Sequence, residues 1–149
     1  MELALEEARC ASAEGEIPIG AVVLDPEGVV IASAHNVREA TGDPTAHAEV
    51  VALRAAAATR GTWRLDDCTL VVTLEPCPMC AGATVMSRVC RLVIGAWNDE
   101  YGAAGSRWDL VRDRRLHHRV EVISGIRAEE CGAIVREFLA GQRVIEEEA

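Results

Sequence analysis

A chain of 149 residues is one domain's worth of protein, long enough to bury a core without disulfide staples. Half of its residues are apolar, which excludes intrinsic disorder, and no apolar run approaches ~18 residues, which excludes a membrane-spanning helix. The formal charge of −9 argues against general attraction to nucleic acid, yet residues 107–119 carry five Arg against only Asp109 and Asp113. There is no Lys, so every cation is a planar fork able to grip a phosphate bidentately. Twenty-four Ala beside three Trp, one Tyr and one Phe predict an aliphatic core packed in thin layers. The opening residues Met-Glu-Leu-Ala-Leu-Glu-Glu lack a basic region of the secretory kind, so a soluble, cytoplasmic, single-domain protein spanning 1–149 is expected. The first helix starts abruptly at Met1, and a longer N-terminus is expected ahead of it.

In chain order, residues 1–13 have helical composition and end at Glu14-Gly15-Glu16. The β-branched runs 19–24 and 29–34, separated by Asp25-Pro26-Glu27-Gly28, predict a hairpin. A polar loop covers 36–45, and a helix is expected over 46–58 with Thr45 as its cap. Residues 68–74 read as a strand buried on both faces. Residues 78–87 read as a helix with Pro78 at its first position, where the missing N–H is harmless. A second buried strand is expected at 91–96, then a Gly-rich loop over 97–106, a basic helical segment, a short strand at 120–124 and a last helix from about Ala128. This order predicts an α/β fold, a three-layer α/β/α sandwich.

Of six cysteines, Cys10, Cys68, Cys90 and Cys131 stand alone and read as buried small hydrophobes. Cys77 and Cys80 are three apart behind Pro76, which reads as a metal or redox pair. A C-x-x-C across a helix start puts both sulfurs on one side, and the helix N-terminus favours thiolates. His47-Ala48-Glu49 opens the preceding helix in the same manner. His47, Cys77 and Cys80 make three protein ligands, and a zinc site that leaves its fourth position to water is catalytic rather than structural. Glu49, two residues after the ligand His, is then placed to handle protons. A thioredoxin-like dithiol would leave His47 and Glu49 idle, and a structural zinc finger would lack a fourth ligand. Together, H-x-E and P-C-x-x-C form the pattern of zinc nucleobase deaminases.

The chain also resembles the bacterial tRNA-specific adenosine deaminases of the cytidine-deaminase-like superfamily, from Glu16-Ile17-Pro18-Ile19-Gly20-Ala21 to about Phe138. The likeness is carried by Asp43 to Glu49, by Thr73 to Cys77 and on through Ala81-Gly82-Ala83, by Gly102 to Ser106, and by His118 to Val122. The resemblance implies a central five-stranded mixed sheet between helical layers and one zinc per chain on His47, Cys77 and Cys80. It implies Glu49 as the proton shuttle, with Asn36 and the Ala48 backbone amide binding the target base. It further implies a homodimer acting on the anticodon stem-loop of tRNA, converting the wobble adenosine to inosine.

Three departures bear on substrate grip. Asn98 stands where the family usually has Asp, in the loop flanking the nucleic-acid backbone, so a relaxed rejection of deoxyadenosine in single-stranded DNA is an expectation. Arg107 stands where an apolar residue is usual, and Leu139 replaces one of a pair of Phe. Arg107 and Arg119 bound the basic segment expected to contact phosphates. The other enzyme reading is deamination of a free base or nucleoside such as guanine or cytosine, for which that segment is superfluous. A non-catalytic zinc-binding module would leave Glu49 without work.

Overall fold

The computed structural model describes the backbone of residues 1–148 and the side chains of residues 1–142. Helix α1 (Glu2–Ala13) precedes the hairpin β1 (Gly20–Leu24) and β2 (Val30–His35). A single turn, α2 (Arg38–Thr41), leads to α3 (Ala48–Arg60) and β3 (Thr69–Leu74). Helix α4 (Pro78–Met86), β4 (Arg91–Ala96), β5 (Glu121–Ile123) and α5 (Ala128–Glu148) complete the chain. The five strands form one mixed sheet in the order β2-β1-β3-β4-β5. Strand β1 pairs antiparallel with β2 and β3, whereas β3, β4 and β5 run parallel. Parallel neighbours need a crossover, and α4 provides the one between β3 and β4.

Side-chain alternation along the strands creates the layers. Ala21 and Val23 of β1, Leu70 and Val72 of β3, and Leu92 and Ile94 of β4 pack in one cluster with Ala52, Leu53 and Ala56 of α3 and Val85 of α4. Val22 and Val71 point the other way, against Ala4 of α1. Leu5 of α1 and Cys131 of α5 meet over Ala96 on that same side. The result is the expected three-layer sandwich. Among the described residues no aromatic side chain belongs to the buried core. Small residues allow the helices to lie close: a Cβ at Gly20 would run into the Ala4 carbonyl of α1, and one at Gly95 into Cys131 of α5.

Four local expectations are corrected. The 36–45 loop contains α2, closed by Gly42 in the left-handed conformation at φ 64°. Thr45 does not cap α3; its hydroxyl donates to Asp43 at 2.7 Å, and His47 occupies the N-cap position. The basic segment after residue 106 is not helical. Its backbone N–H groups are engaged elsewhere, Leu110 donating to Ala103 and Val120 to Val111, while the Asp113 carboxylate takes the Arg115 N–H. Finally, Cys10 is exposed and Cys90 only half-buried, because Cys10 falls on the outer face of α1. Among the described residues no helix is long and apolar enough to cross a membrane.

One ion-pair cluster ties the end of β2 to α1. His35 Nδ1 lies 2.7 Å from Glu7 and its Nε2 3.2 Å from Glu14. Burial lowers the His35 pKa, but the two carboxylates outweigh it and hold the imidazole above its ordinary 6.5. Since the folded value is the raised one, the added stability is fully present below pH 6.5 and lost as pH rises through the folded pKa. The urea midpoint of the native protein is expected to fall more between about pH 6 and about pH 8.5 than that of His35→Ala. Parallel pH profiles for the two proteins would show that the cluster contributes nothing.

Candidate active site

Strand β3 ends at Leu74, and Glu75-Pro76 hand the chain to Cys77, the N-cap residue of α4. Pro78 takes the first helical position, as its fixed φ and missing N–H allow. His47 is the N-cap of α3, which packs beside α4 on the same face of the sheet. Two helix N-termini thus converge, and their partial positive charge favours anionic ligands between them. His47 Nδ1 is 3.5 Å from the Cys80 sulfur and 3.7 Å from that of Cys77. All three ligand atoms lie within 4.8 Å of one another.

This donor set fits zinc. A tetrahedral ion with Zn–S near 2.3 Å and Zn–N near 2.0–2.1 Å requires a sulfur-to-nitrogen edge of about 3.6 Å. The observed separations bracket that value. The protein already prepares a thiolate. A hydrogen bond from Cys80, helped by His47, pulls the Cys77 thiol down to about 4. Its hydrogen bond to Cys77 and its burial push the Cys80 thiol far up. The bond to Cys77 likewise raises His47.

Glu49, in the first turn of α3, is 3% exposed. Burial pushes its carboxyl up to about 7. Its Oε2 has no hydrogen-bond partner among the described residues. An orphaned buried carboxylate oxygen costs free energy, so its retention beside three ligand atoms makes Glu49 a candidate functional group.

Asn36 follows β2 and is brought beside the ligand loop by a 3.1 Å hydrogen bond from the Val37 N–H to the Ala46 carbonyl. Its amide is oriented by Glu16, which accepts from Asn36 Nδ2 at 3.0 Å and from the Ala40 N–H at 2.8 Å. A carboxylate only accepts, so the Asn36 nitrogen must face Glu16 and its oxygen is left for a ligand. Ala48 is buried at the first position of α3, where backbone N–H groups lack intrahelical partners.

Glu75 performs the corresponding work for the loop at 97–108. It is 1% exposed. It accepts from the N–H groups of Asn98 at 2.9 Å, Ala104 at 2.9 Å and Ser106 at 3.0 Å. Gly102 is required here, because a Cβ would collide with the Glu75 carboxylate and the Ser106 hydroxyl. The Asn98 side chain is itself occupied, its Oδ1 accepting from the N–H groups of Glu100 and Tyr101. Sequence reasoning missed Glu16 and Glu75. The available signal was a lone carboxylate against an apolar run, as in Val-Val-Thr-Leu-Glu-Pro, which has to find donors if it is buried.

The structure therefore brings His47, Glu49, Cys77 and Cys80 together and sets Asn36 and Asn98 on loops wired to them. Arg107 lies on the Asn98 loop, its guanidinium 3.4 Å from the Asp99 carbonyl and 5.7 Å from the Trp108 ring centroid. Arg119 is exposed beyond it. Two of the five Arg in 107–119 are paired, Arg112 with Asp109 and Arg115 with Asp113. Arg107, Arg114 and Arg119 have no acidic partner among the described residues.

Comparison with known proteins agrees with this geometry. Residues 1–96 match the cytidine and deoxycytidylate deaminase zinc-binding region. The tRNA-specific adenosine deaminase of Bacillus subtilis is 47% identical over 93% of this chain and 85% of its own length. A solved structure from a study of A-to-I editing by tRNA:A34 deaminases at the wobble position superposes with a TM-score of 0.87. It is 42% identical, over 90% of this chain and 96% of that one. A guanine deaminase from Nitrosomonas europaea is more distant, at 28% identity and a TM-score of 0.81 over 93% of this chain and 82% of that one. With its His-Cys-Cys donor set, buried glutamate and five-stranded mixed sheet, the chain belongs to the cytidine and deoxycytidylate deaminase family, and within it to the tRNA-specific adenosine deaminases.

Proposed function

We propose that this protein hydrolyses the wobble adenosine of a tRNA anticodon to inosine, consuming one water and releasing one ammonia. The observation that carries the reading is the buried Glu49 carboxylate, its Oε2 without a partner among the described residues, beside the His47, Cys77 and Cys80 donors. Zinc held by those three residues supplies Lewis acidity toward water when bound. Because two thiolates cancel the charge of the ion, the site needs a base of its own. Glu49 takes one proton from the attacking water and delivers it to N1 of the purine, then takes the second from the resulting C6 hydroxyl and gives it to the departing amine, which leaves as ammonia. Asn36, held by Glu16, and the Ala48 N–H orient the base.

The substrate is adenosine within RNA. An adenine in a stacked helix is out of reach, whereas an anticodon loop presents it splayed. A mass-spectrometric panel of anticodon stem-loop RNA, its deoxy analogue, adenosine, guanine and cytosine tests this. Inosine is expected from the hairpin RNA. Conversion of free adenosine or guanine at the same rate would replace this reading with small-molecule deamination, the activity of the Nitrosomonas relative. Each Arg–phosphate contact adds roughly 0.7–0.9 to the salt dependence of binding, so Arg107, Arg114 and Arg119 together give a shallow slope of roughly 2–3.

The same reading makes the enzyme a cytoplasmic homodimer of single-domain chains. The outer face between α3 and α4 supports the pairing, since Trp63 and Met86 flank an apolar groove of about 340 Å³ there. Sedimentation at the mass of one chain would remove the dimer.

A further inference from the structure

Three of the five aromatic side chains lie on the loop organised by Glu75, and all three face solvent. Trp97 is 44% exposed, Tyr101 63% and Trp108 47%. We infer that this loop is a stacking platform for the nucleotides next to the target adenosine, a role that rests on the reading that the adenosine arrives within a nucleic acid.

Four observations carry the inference. First, among the described residues the core holds no aromatic side chain, so these rings are not displaced members of it. Second, the rings are mounted on a rigid support. Asn98, Ala104 and Ser106 are bonded to Glu75, the Asn98 carbonyl accepts from Gly102 N–H at 2.8 Å, and the Gly105 N–H donates to the Trp108 carbonyl at 2.8 Å. Gly105, at φ 145°, lies against the Trp97 ring, whose carbons would sit 3.2 Å from a Cβ there. Third, the support is attached to the active site: Glu75 precedes Cys77 by two residues, and the Ala103 N–H donates to the Pro76 carbonyl at 2.8 Å. The loop is thus joined to the segment that delivers Cys77.

Fourth, Arg cations stand beside the rings, although the same loop also carries Asp99 and Glu100. Arg107 lies over the Trp108 ring, and Arg114 and Arg119 continue from the same loop without acidic partners among the described residues. Exposed aromatic rings interleaved with Arg bind single-stranded nucleic acid by stacking on any base face while the cations follow the backbone. Trp63 carries Arg64 at 5.4 Å in the same manner, but it flanks the α3–α4 groove. Because that groove is the proposed pairing face, Trp63 serves as the control position only at dimer content matched to the native protein by sedimentation.

The test uses Trp97→Ala, Tyr101→Ala, Trp108→Ala and Trp97→Phe, with Trp63→Ala as control. Binding is read with the full chain by tryptophan fluorescence quenching on an anticodon hairpin RNA and on the same hairpin with abasic sites beside the target adenosine. Stacking on one base contributes roughly 5- to 100-fold in affinity. Each loop Ala variant is expected to weaken binding of the intact hairpin within that range, raising KM more than it lowers kcat. The loss should vanish on the abasic hairpin and be largely restored by Trp97→Phe. Thermal unfolding should not move, because the rings are exposed.

Unchanged hairpin affinity in all three loop variants would overturn the platform while leaving the deaminase reading intact. Tight, stacking-dependent binding without inosine formation would instead overturn the deaminase reading and keep the platform. Loss of a dimer in the loop variants at constant hairpin affinity would reassign the rings to a contact between copies.

Discussion

Glu49→Gln is expected to keep its fold and one zinc per chain and to lose deamination by at least about 10²–10⁴-fold, the usual contribution of a positioned acid–base group. The substitution retains the volume of the side chain in a site where Glu49 is 3% exposed, so no cavity forms. It removes the one group near the ligands able both to accept a proton from water and to return it to nitrogen. Because Glu49 is not among the three clustered ligand atoms, metal content should not change. Zinc by elemental analysis and inosine by mass spectrometry, measured on the same preparation, separate the two roles. Activity within about tenfold of the native protein would remove the assignment of Glu49 as proton carrier.

Glu75→Ala is expected to produce a large structural effect without removing a candidate metal ligand. Three backbone N–H groups would lose a charged acceptor at once. Bonds to charged groups contribute about 1.5–3 kcal/mol each, and the exposed part of the loop recovers some of this from water, so a loss of about 3 kcal/mol is expected. For a chain of this length that lowers Tm by roughly 6–12 °C. Zinc should still bind, since the donors sit on α3 and α4, while hairpin RNA should bind more weakly because the 97–108 loop no longer holds its shape. Glu75→Gln should recover only part of the loss. Its carbonyl oxygen can serve Ala104 and Ser106, but its NH2 then meets the Asn98 N–H. A Glu75→Ala protein that melts and deaminates like the native one would show that the loop holds itself.

Much of this molecule was legible in local patterns. The hairpin at 20–35 followed from two β-branched runs around Asp25-Pro26-Glu27-Gly28, and the strands at 69–74 and 91–96 from continuous apolar runs. The candidate ligand set was legible because a metal restricts residue types and spacing so tightly that His47, Cys77 and Cys80 stand out across thirty residues. Where local signals competed, the reading failed. The segment after residue 106 has helical composition, but Leu110 and Val111 are held against the core by backbone bonds to Ala103 and Val120. Thr45 has the chemistry of a cap, but Asp43 lies two residues away and takes its hydroxyl.

What the chain order alone determined was the candidate donor set and the layers that carry it, since periodicity and motif spacing are short-range properties. Tertiary structure decided which carboxylates would hold the recognition loops. Glu16 meets Asn36 across twenty positions, and Glu75 meets Ser106 across thirty-one. Such pairings are set by how the sheet and helices stack, because a buried carboxylate must be satisfied by whichever N–H groups the packing brings within reach. The exposed faces of Trp97, Tyr101 and Trp108 were decided at the same level. A closed aliphatic core and a loop pinned from below leave these three aromatic rings facing solvent.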